Sequence, residues 1–391
     1  MATQKSASTA KSKQKEDDKV SSLQKVLEAH RGEHHVIVLQ KYPDPDAIAS
    51  AFAHKIICRD YEIQADILYT GRVSHQQNRA LVNLLKIEMT HYEKKDDLSG
   101  YAGAVFVDTQ GGTAQELVKG LKEAKVPELI VVDHHEPLDL LSPEFSDIRR
   151  IGAASTMYTQ YIEAGMLKIK SGNEDHVKLA TALMHGILTD TSGFLNAGPE
   201  DFQAAAFLSR HYDLETLEYI MRQERSKKTM EVISKSLSKR VVAESFSIAG
   251  IGYLKSDDRD AIPQAADFLV TEENVHTAIV FGIVTGEEED EREILVGSLR
   301  STKITLDPDE FIKEVFGRDS QGKYFGGGKL SAGGFQMNIG FLSGGESEEY
   351  QNLKWKTFDA KIKERIFNKI GYDKKSGAGS KSSASDSDVQ A

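Results

Sequence analysis

The strongest constraint on the fold is an apolar run that ends abruptly in an acid and two histidines. Leu129 to Val132 are four apolar, mostly β-branched residues, and Asp133, His134 and His135 follow directly. A run without polar alternation predicts a strand buried on both faces of a parallel sheet. Because open parallel sheets bind ligands at the carboxyl ends of their strands, this edge is a candidate site. Taken alone, the tripeptide also fits a strand end with two solvated histidines.

Two other apolar strands end in the same way. Residues 35–39 lead to Asp44 and Asp46, and residues 104–107 lead to Asp108. Strands that alternate with helical patterns predict βαβ units, and therefore an α/β domain built on a parallel sheet. The acids of all three strands are then expected at one edge of that sheet.

A further candidate acid, Asp190, follows the predicted helix 177–188 beside small, turn-forming residues. Carboxylate oxygens together with imidazole nitrogens suit a divalent transition metal such as Mn²⁺. His185, one turn earlier, is interpreted as a packed helix histidine. The polar loop 71–79 carries a histidine, two arginines and three amides. It fits either a phosphate-binding loop or a loop that caps a helix.

From Arg240 the pattern predicts a second, smaller α/β domain. Its predicted strands and helices are 241–253, 277–285 and 294–301, and 260–270 and 307–316. Residues 325–335 then hold five glycines around Lys329. Glycine at this density predicts close approach of the backbone to a ligand, with N–H groups forming an anion nest and the lysine adding charge. A flexible linker is the alternative.

Composition limits the classes of function. The net charge of -11 argues against binding to long nucleic acid or to an anionic membrane. No apolar run approaches the about 18–20 residues of a membrane span. The single cysteine, Cys58, excludes an internal disulfide and fits a reducing, cytoplasmic compartment. Its apolar surroundings favour a buried residue over a reactive thiol.

The expected organisation has a large first domain and a smaller second domain. In order, the segments are a disordered tail (1–19), the first domain (20–225), a linker helix (226–240), the second domain (241–345), a C-terminal helix (346–371) and a second disordered tail (372–391).

Taken in order, these motifs resemble those of the DHH phosphoesterases. The four N-terminal motifs of that family are matched by Asp44-Pro45-Asp46, Asp108, Asp133-His134-His135 and Asp190. The segment 298–301 and the glycine-rich run resemble substrate-binding motifs of the DHH-associated C-terminal domain. The resemblance covers residues 30–345, and the most similar subfamily is the nanoRNase and 3′-phosphoadenosine-5′-phosphate phosphatase type, related to RecJ exonucleases.

The resemblance implies two divalent metals, with Mn²⁺ expected and Mg²⁺ as the alternative. One ion would be held by Gln40, Asp44 and Asp108, and the other by Asp46, Asp108, His134 and Asp190. The implied catalytic residues are Asp108, Asp133, His134 and His135. Among them, Asp133 would orient its neighbours and His135 would face the substrate phosphate. The implied substrate-binding residues are Arg300, Ser301, Gly326, Gly327, Gly328, Lys329, Gly333 and Gly334.

Two positions depart from the family pattern. The family has a histidine four residues before the first motif aspartate, where this chain has Gln40. An amide oxygen is a weaker ligand than imidazole for Mn²⁺, so Mg²⁺ or partial occupancy is the alternative at the first metal. The glycine-rich run has Lys329 in place of a family histidine, and a lysine needs a depressed pKa to shuttle protons near neutral pH. His34 and His35 are interpreted as strand-entry residues.

The expected function is metal-dependent hydrolysis of phosphoester bonds in short oligonucleotides or small phosphorylated nucleotides. Such a substrate is the expected partner, without a membrane or long nucleic acid, and homodimer formation stays open. One alternative is a catalytically attenuated nucleotide-binding regulator, because both family histidines are replaced. Others are a cyclic-dinucleotide phosphodiesterase and a pyrophosphatase or polyphosphatase with the same N-terminal motifs.

Overall fold

The computed structural model describes residues 18–73, 75–286, 293–329, 331–345 and 347–372. They divide into two compact units, with the boundary between Glu224 and Arg225. The predicted tails 1–19 and 372–391 lie outside the described residues, except for residues 18, 19 and 372. Each unit has its own sheet and its own apolar core, so the expected α/β class is confirmed.

The first unit is built on a parallel sheet of six strands in the order β3-β2-β1-β4-β5-β6. Their bounds are β1 His34–Val38, β2 Gln64–Tyr69, β3 Thr90–His91, β4 Gly103–Val107, β5 Glu128–Asp133 and β6 Phe145–Ile148. Every neighbouring pair is parallel. The short edge strands β3 and β6 were not predicted, because neither contains a continuous apolar run.

Helices cover both faces of this sheet. They are α1 (18–29), α2 Pro45–Cys58, α3 Gln76–Leu85, α4 Gln115–Glu123, α5 Ala154–Tyr161, α6 Glu174–Asp190, α7 Pro199–Leu208 and α8 Leu214–Met221. Within β1, Ile37 belongs to the core cluster that contains α2, whereas Val36 and Val38 belong to the cluster that contains α4. This two-sided burial explains why the strands are apolar without alternation.

The strand order reverses between β1 and β4. β1 pairs with β2 on one side and with β4 on the other, and the connections leave these two strands in opposite directions. In open α/β sheets, ligands bind in the crevice at the carboxyl ends of the strands that flank such a switch point. The loops after β1 and β4 carry the candidate acids.

The second unit has a mixed sheet of six strands in the order β11-β12-β10-β9-β8-β7. Its elements are β7 Val241–Ala243, β8 Phe246–Lys255, β9 Thr277–Thr285, β10 Ile294–Ser301, β11 Gly326–Lys329 and β12 Ala332–Asn338, with α9 Lys227–Lys239, α10 Ala261–Leu269, α11 Pro308–Phe316 and α12 Glu348–Ile370. The predicted single strand 241–253 is a hairpin of β7 and β8. Glu244 and Ser245 form its turn with φ of 49° and 62°.

The two terminal helices of this unit contribute to its core. Residues 226–240 were predicted to be a linker helix; α9 covers most of this range, and its Val232 and Ile233 are buried in an apolar cluster with α10. Ile362 and Ile366 of α12 are likewise buried, in the other cluster of the unit. Within the described part of the chain, no helix is both long and apolar enough to cross a membrane.

The glycine-rich segment forms the hairpin of β11 and β12, packed against the start of α11. The amide of Gly328 donates a hydrogen bond to Asp309 Oδ1 at 3.0 Å. A Cβ atom on Gly333 would lie 2.5 Å from Ile312 Cδ1, and one on Gly327 would lie 2.6 Å from Asp309 Oδ1. These glycines therefore allow the hairpin to approach the helix closely. Their expected contact with a substrate stays a prediction.

Candidate metal centre

One histidine and three acids converge at the carboxyl edge of the parallel sheet. His134 follows β5, Asp108 follows β4, Asp46 lies in the first turn of α2, and Asp190 is the last residue of α6. The Nε2 atom of His134 lies 3.1 Å from Asp190 Oδ2, 3.3 Å from Asp108 Oδ1 and 3.8 Å from Asp46 Oδ2. Residues far apart in the sequence thus surround one point.

The tautomer of His134 follows from its second ring nitrogen. Nδ1 lies 3.0 Å from the carbonyl oxygen of Ile151 and donates a hydrogen bond to it. In the neutral ring, Nε2 therefore presents its lone pair to the three carboxylates. Nε2 and Asp108 Oδ1 are both buried, and neither has a hydrogen-bond partner among the described residues. Electron-rich atoms at such distances repel one another unless a cation lies between them, so the donor set fits a divalent metal ion.

The pKa values of His134 and the neighbouring acids also show that positive charge is favoured at this point. Burial lowers the pKa of His134, but the carboxylates of Asp108 and Asp190 beside Nε2 and the nearby charge of Asp46 favour a protonated ring and raise the pKa to about 12. Burial and the neighbouring charge of Asp44 raise the pKa of Asp108 well above its usual value. Burial and the charge of Asp190 raise that of Asp46. A cation is favoured at this point, whether a proton or a metal ion.

The backbone holds the two buried acids in place. The amides of Ala154 and Ser155, at the start of α5, donate hydrogen bonds of 2.7 Å to the two carboxylate oxygens of Asp46. The positive end of a helix favours this carboxylate. Asp108 has a φ of 55°, a left-handed conformation that is uncommon outside glycine. It directs the side chain toward His134, and such strain is typical of functional sites.

Asp133 and His135 form a second layer beside this point. His135 Nδ1 lies 2.7 Å from Asp133 Oδ1 and 3.5 Å from Asp108 Oδ1. Burial raises the pKa of Asp133, but hydrogen bonds from His135 and Gln110 outweigh it and lower the pKa below its usual value. Gln110 donates to Asp133 Oδ2 at 2.7 Å. The orienting role of Asp133 stays a prediction, and the contact of Gln110 with it was not predicted.

The implied first-metal residues are arranged differently. The amide nitrogen Nε2 of Gln40 donates to Asp44 Oδ2 at 2.9 Å and to Asp108 Oδ2 at 3.5 Å. An amide oxygen placed there would face two carboxylate oxygens, so the nitrogen faces them instead. The second oxygen of Asp44 accepts a hydrogen bond from the amide of Ala47 at 2.9 Å and caps α2. As arranged, this half of the centre is bridged by an N–H donor, and an ion there would need the Gln40 amide turned so that its oxygen faces the ion.

Helix α6 reaches the centre through a close contact at Gly186. A Cβ atom on Gly186 would lie 2.2 Å from Ser155 Oγ and 3.1 Å from the Cα atom of Asp46. The glycine lets α6 pack directly against α2 and α5 one turn before Asp190. This packing fixes the distance between the acid of α2 and the acid of α6.

Residues 35–187 match the family model described as the DHH family, N-terminal domain. This part of the chain is a DHH domain. An uncharacterized protein of Methanocaldococcus jannaschii, MJ1633, is 34% identical over 329 residues. The alignment covers 83% of this chain but only 62% of that relative's length.

Comparison with solved structures supports the fold. An exopolyphosphatase-related protein from Bacteroides fragilis superposes with a TM-score of 0.62 at 15% identity, covering 88% of this chain and 98% of that chain. RecJ in complex with Mn²⁺ from Thermus thermophilus aligns at 12% identity over 91% of this chain and 59% of that chain. Its TM-score of 0.45 is too low to establish a common fold.

The remaining predicted residues of the DHH domain lie as follows. His185 and Cys58 are buried, as predicted. Burial lowers the pKa of His185 to about 4 and raises that of the Cys58 thiol to about 12. In the polar loop 71–79, Asn78 donates a hydrogen bond to the carbonyl oxygen of Pro43 at 3.1 Å. That contact ties the start of α3 to the loop that carries Asp44.

Some residues of the second unit that were expected to bind substrate form contacts with other residues of the same unit. Arg300 Nε donates to Asp267 Oδ1 at 2.5 Å, and the Ser301 hydroxyl is buried 2.8 Å from Thr277 Oγ1. Lys329 ends β11 and is exposed. Their part in ligand binding stays a prediction.

Proposed function

We propose that this protein is a metal-dependent phosphoesterase that hydrolyses short oligonucleotides or small phosphorylated nucleotides. The observation that carries the proposal is the convergence of Asp46, Asp108 and Asp190 on the Nε2 atom of His134. Oxygen-rich ligand sets with one imidazole favour Mn²⁺, with Mg²⁺ as the alternative. Because the alignment spans only 62% of the relative's length, the activity of the whole protein is part of this proposal.

The chain's own residues have distinct roles in such a reaction. A divalent ion bound at His134 would polarise a phosphoryl oxygen and lower the pKa of a bound water. The amides of α5 keep Asp46 in position, and the Ile151 carbonyl keeps the His134 ring in the ligating tautomer. His135 is partly exposed and is oriented by Asp133 through Nδ1, so when the ring is protonated its Nε2 can donate a hydrogen bond to a phosphoryl oxygen.

The net charge of the chain favours a short substrate over a long one. The net charge of -11 opposes tracking along a long polyanion, so a short substrate held locally is favoured. The Bacteroides fragilis neighbour is an exopolyphosphatase-related protein, so polyphosphate is a competing substrate. Pyrophosphate contains the same phosphoanhydride bond and is the second competitor. We therefore place short nucleotides first and these inorganic substrates second.

The test is a substrate panel assayed with Mn²⁺. It would contain di- to pentaribonucleotides, 3′-phosphoadenosine-5′-phosphate, cyclic dinucleotides and pyrophosphate. The proposal predicts turnover of a nucleotide substrate by the wild-type chain and loss of that turnover in Asp108→Ala. Equal turnover by both chains would overturn it, and faster hydrolysis of pyrophosphate would reassign the substrate class.

A second candidate is a catalytically attenuated nucleotide-binding regulator. It is favoured by one observation, the Gln40 amide that bridges Asp44 and Asp108. Such a regulator would bind the panel's nucleotides while turning them over slowly, and Gln40→His would raise its rate steeply. A wild-type chain that is already fast, with no gain from this change, would reject attenuation.

A further inference from the structure

We propose that the DHH domain carries a separate divalent-metal site at the amino end of β1, formed by His30, Glu33 and His35. The Oε2 atom of Glu33 lies 2.8 Å from His30 Nδ1 and 3.2 Å from His35 Nε2. One ligand atom from each residue lies within 4.8 Å of the others. Because β1 runs away from this cluster toward Gln40, the cluster lies at the opposite edge of the sheet from the candidate metal centre.

The ligand set determines the class of ion. Two imidazoles and one carboxylate on one side of an ion form the facial arrangement that proteins use for divalent transition metals. With metal–ligand bonds of about 2.0–2.2 Å, neighbouring ligand atoms of a tetrahedral ion lie about 3.3 Å apart. The Glu33 oxygen, 2.8 Å and 3.2 Å from the two imidazole nitrogens, would need to move outward by only about 0.1–0.5 Å. Two imidazoles favour an ion such as Zn²⁺ over Mg²⁺, in contrast to the oxygen-rich centre at His134.

Glu144 supports the site from a distant segment, just before β6. Its Oε2 atom lies 3.3 Å from His30 Nε2, the ring nitrogen that does not face Glu33. A metal-bound imidazole commonly donates its other N–H group to a carboxylate, which fixes the ring and its tautomer. Glu144 is therefore a positioning residue that leaves His30 Nδ1 available to the ion.

His35 is the most rigidly held of the three proposed ligands. Its side chain is only 1% exposed, so packing holds the ring with Nε2 3.2 Å from Glu33 Oε2. The exposed sides of His30 and Glu33, 18% and 36%, leave a path for the ion.

The competing interpretation is a hydrogen-bonded triad in which a protonated His30 donates to both carboxylates. Zn²⁺ binding, compared between the wild type and variants of this cluster alone, distinguishes the two, because any Zn²⁺ bound at the His134 centre is then common to all the chains. The variants are His30→Gln and Glu33→Gln, whose parent side chains are partly exposed, so both variants are expected to fold. His91→Gln, at an exposed position of β3, is the matched control.

The site predicts one more bound Zn²⁺ per chain, by equilibrium dialysis and elemental analysis, in the wild type and in His91→Gln than in either cluster variant. Zn²⁺ should also raise the melting temperature of the wild type and of His91→Gln by more than that of His30→Gln or Glu33→Gln. Glu144→Gln should weaken binding by about 10–100-fold without abolishing it. Equal Zn²⁺ contents in the wild type and in His30→Gln would overturn the site, whatever the outcome of the substrate panel.

Discussion

The Nε2 atom of His134 lies 3.1 Å from Asp190 Oδ2, although the two residues belong to different elements. The histidine follows a central strand, and the acid ends a helix that packs beside α2. No local contact brings them together. The distance between the two side chains therefore depends on the folding of the whole DHH domain. Substitution of either residue tests the proposed metal binding directly.

Asp190→Asn should weaken Mn²⁺ binding and phosphoester hydrolysis together. The change keeps the size of the side chain but removes one ligand charge. Because the loss of a residue that merely supports a ligand already costs about 10–100-fold in affinity, the loss of a ligand should cost at least as much. Isothermal titration with Mn²⁺ measures the effect. Asp139→Asn, on an exposed loop, is the matched control and should behave as the wild type, and equal affinity in all three chains would contradict the ligand assignment.

Gln40→His should convert a single bound Mn²⁺ into a coupled pair. In the wild type, the amide nitrogen of Gln40 lies between two carboxylates. An imidazole can instead donate a lone pair to an ion there. Two Mn²⁺ ions about 3.5–4 Å apart are magnetically coupled, which electron paramagnetic resonance detects.

The matched control for this change is Gln203→His, at an exposed position of α7. Wild type and control should show only isolated Mn²⁺. A coupled signal from the wild-type chain would show that Gln40 does not exclude the first ion.

Gly186→Ala should destabilise the DHH domain and disturb the metal centre. The added Cβ atom would meet Ser155 Oγ at 2.2 Å in a closely packed region. Overpacking of this kind costs about 1–3 kcal/mol in the free energy of unfolding. Urea denaturation measures the loss, and Gly172→Ala, which has open space around its Cβ position, should show none. Equal free energies of unfolding for Gly186→Ala and Gly172→Ala would contradict this prediction, because α6 could then move away from α5 without a loss of stability.

Acid should destabilise the wild type more steeply than His54→Asn. His54 is fully buried, its Nδ1 atom accepts a hydrogen bond from Tyr158, and burial lowers its pKa to about 3. The unfolded chain binds a proton near pH 6.5 that the folded chain does not, so stability falls as the pH falls from about 6.5 toward about 3. The slope for one proton is about 1.4 kcal/mol per pH unit.

Chemical denaturation at pH 7 and pH 5 tests this difference. Asparagine can still accept the hydrogen bond of Tyr158 but does not titrate, so its profile should be flatter by about one proton. Parallel profiles would show that His54 is already protonated in the folded protein.

The sequence predicted which side chains converge on His134 but not the groups that position them. Apolar strands that end in Asp108 and His134 indicate a parallel sheet and a common edge, since strand burial and ligand position follow from general rules. The amides of Ala154 and Ser155 carry no side-chain signal, so their contact with Asp46 needed the structure.

Other parts of the fold depend on tertiary contacts that leave no local pattern. The edge strand β3 is only two exposed residues long. The glycines of β11 and β12 suggested a ligand, but the neighbours that exclude a Cβ atom, Asp309 and Ile312, belong to α11. The orientation of the Gln40 amide likewise follows from Asp44 and Asp108, not from its own segment.

The most direct test of the central claim is a crystal of the wild-type chain grown with Mn²⁺ and measured at the manganese absorption edge. The account predicts an anomalous peak bonded to His134 Nε2 and to carboxylate oxygens of Asp46, Asp108 and Asp190. Occupied Mn²⁺ elsewhere with none at His134, or no peak at a concentration that supports hydrolysis, would contradict it.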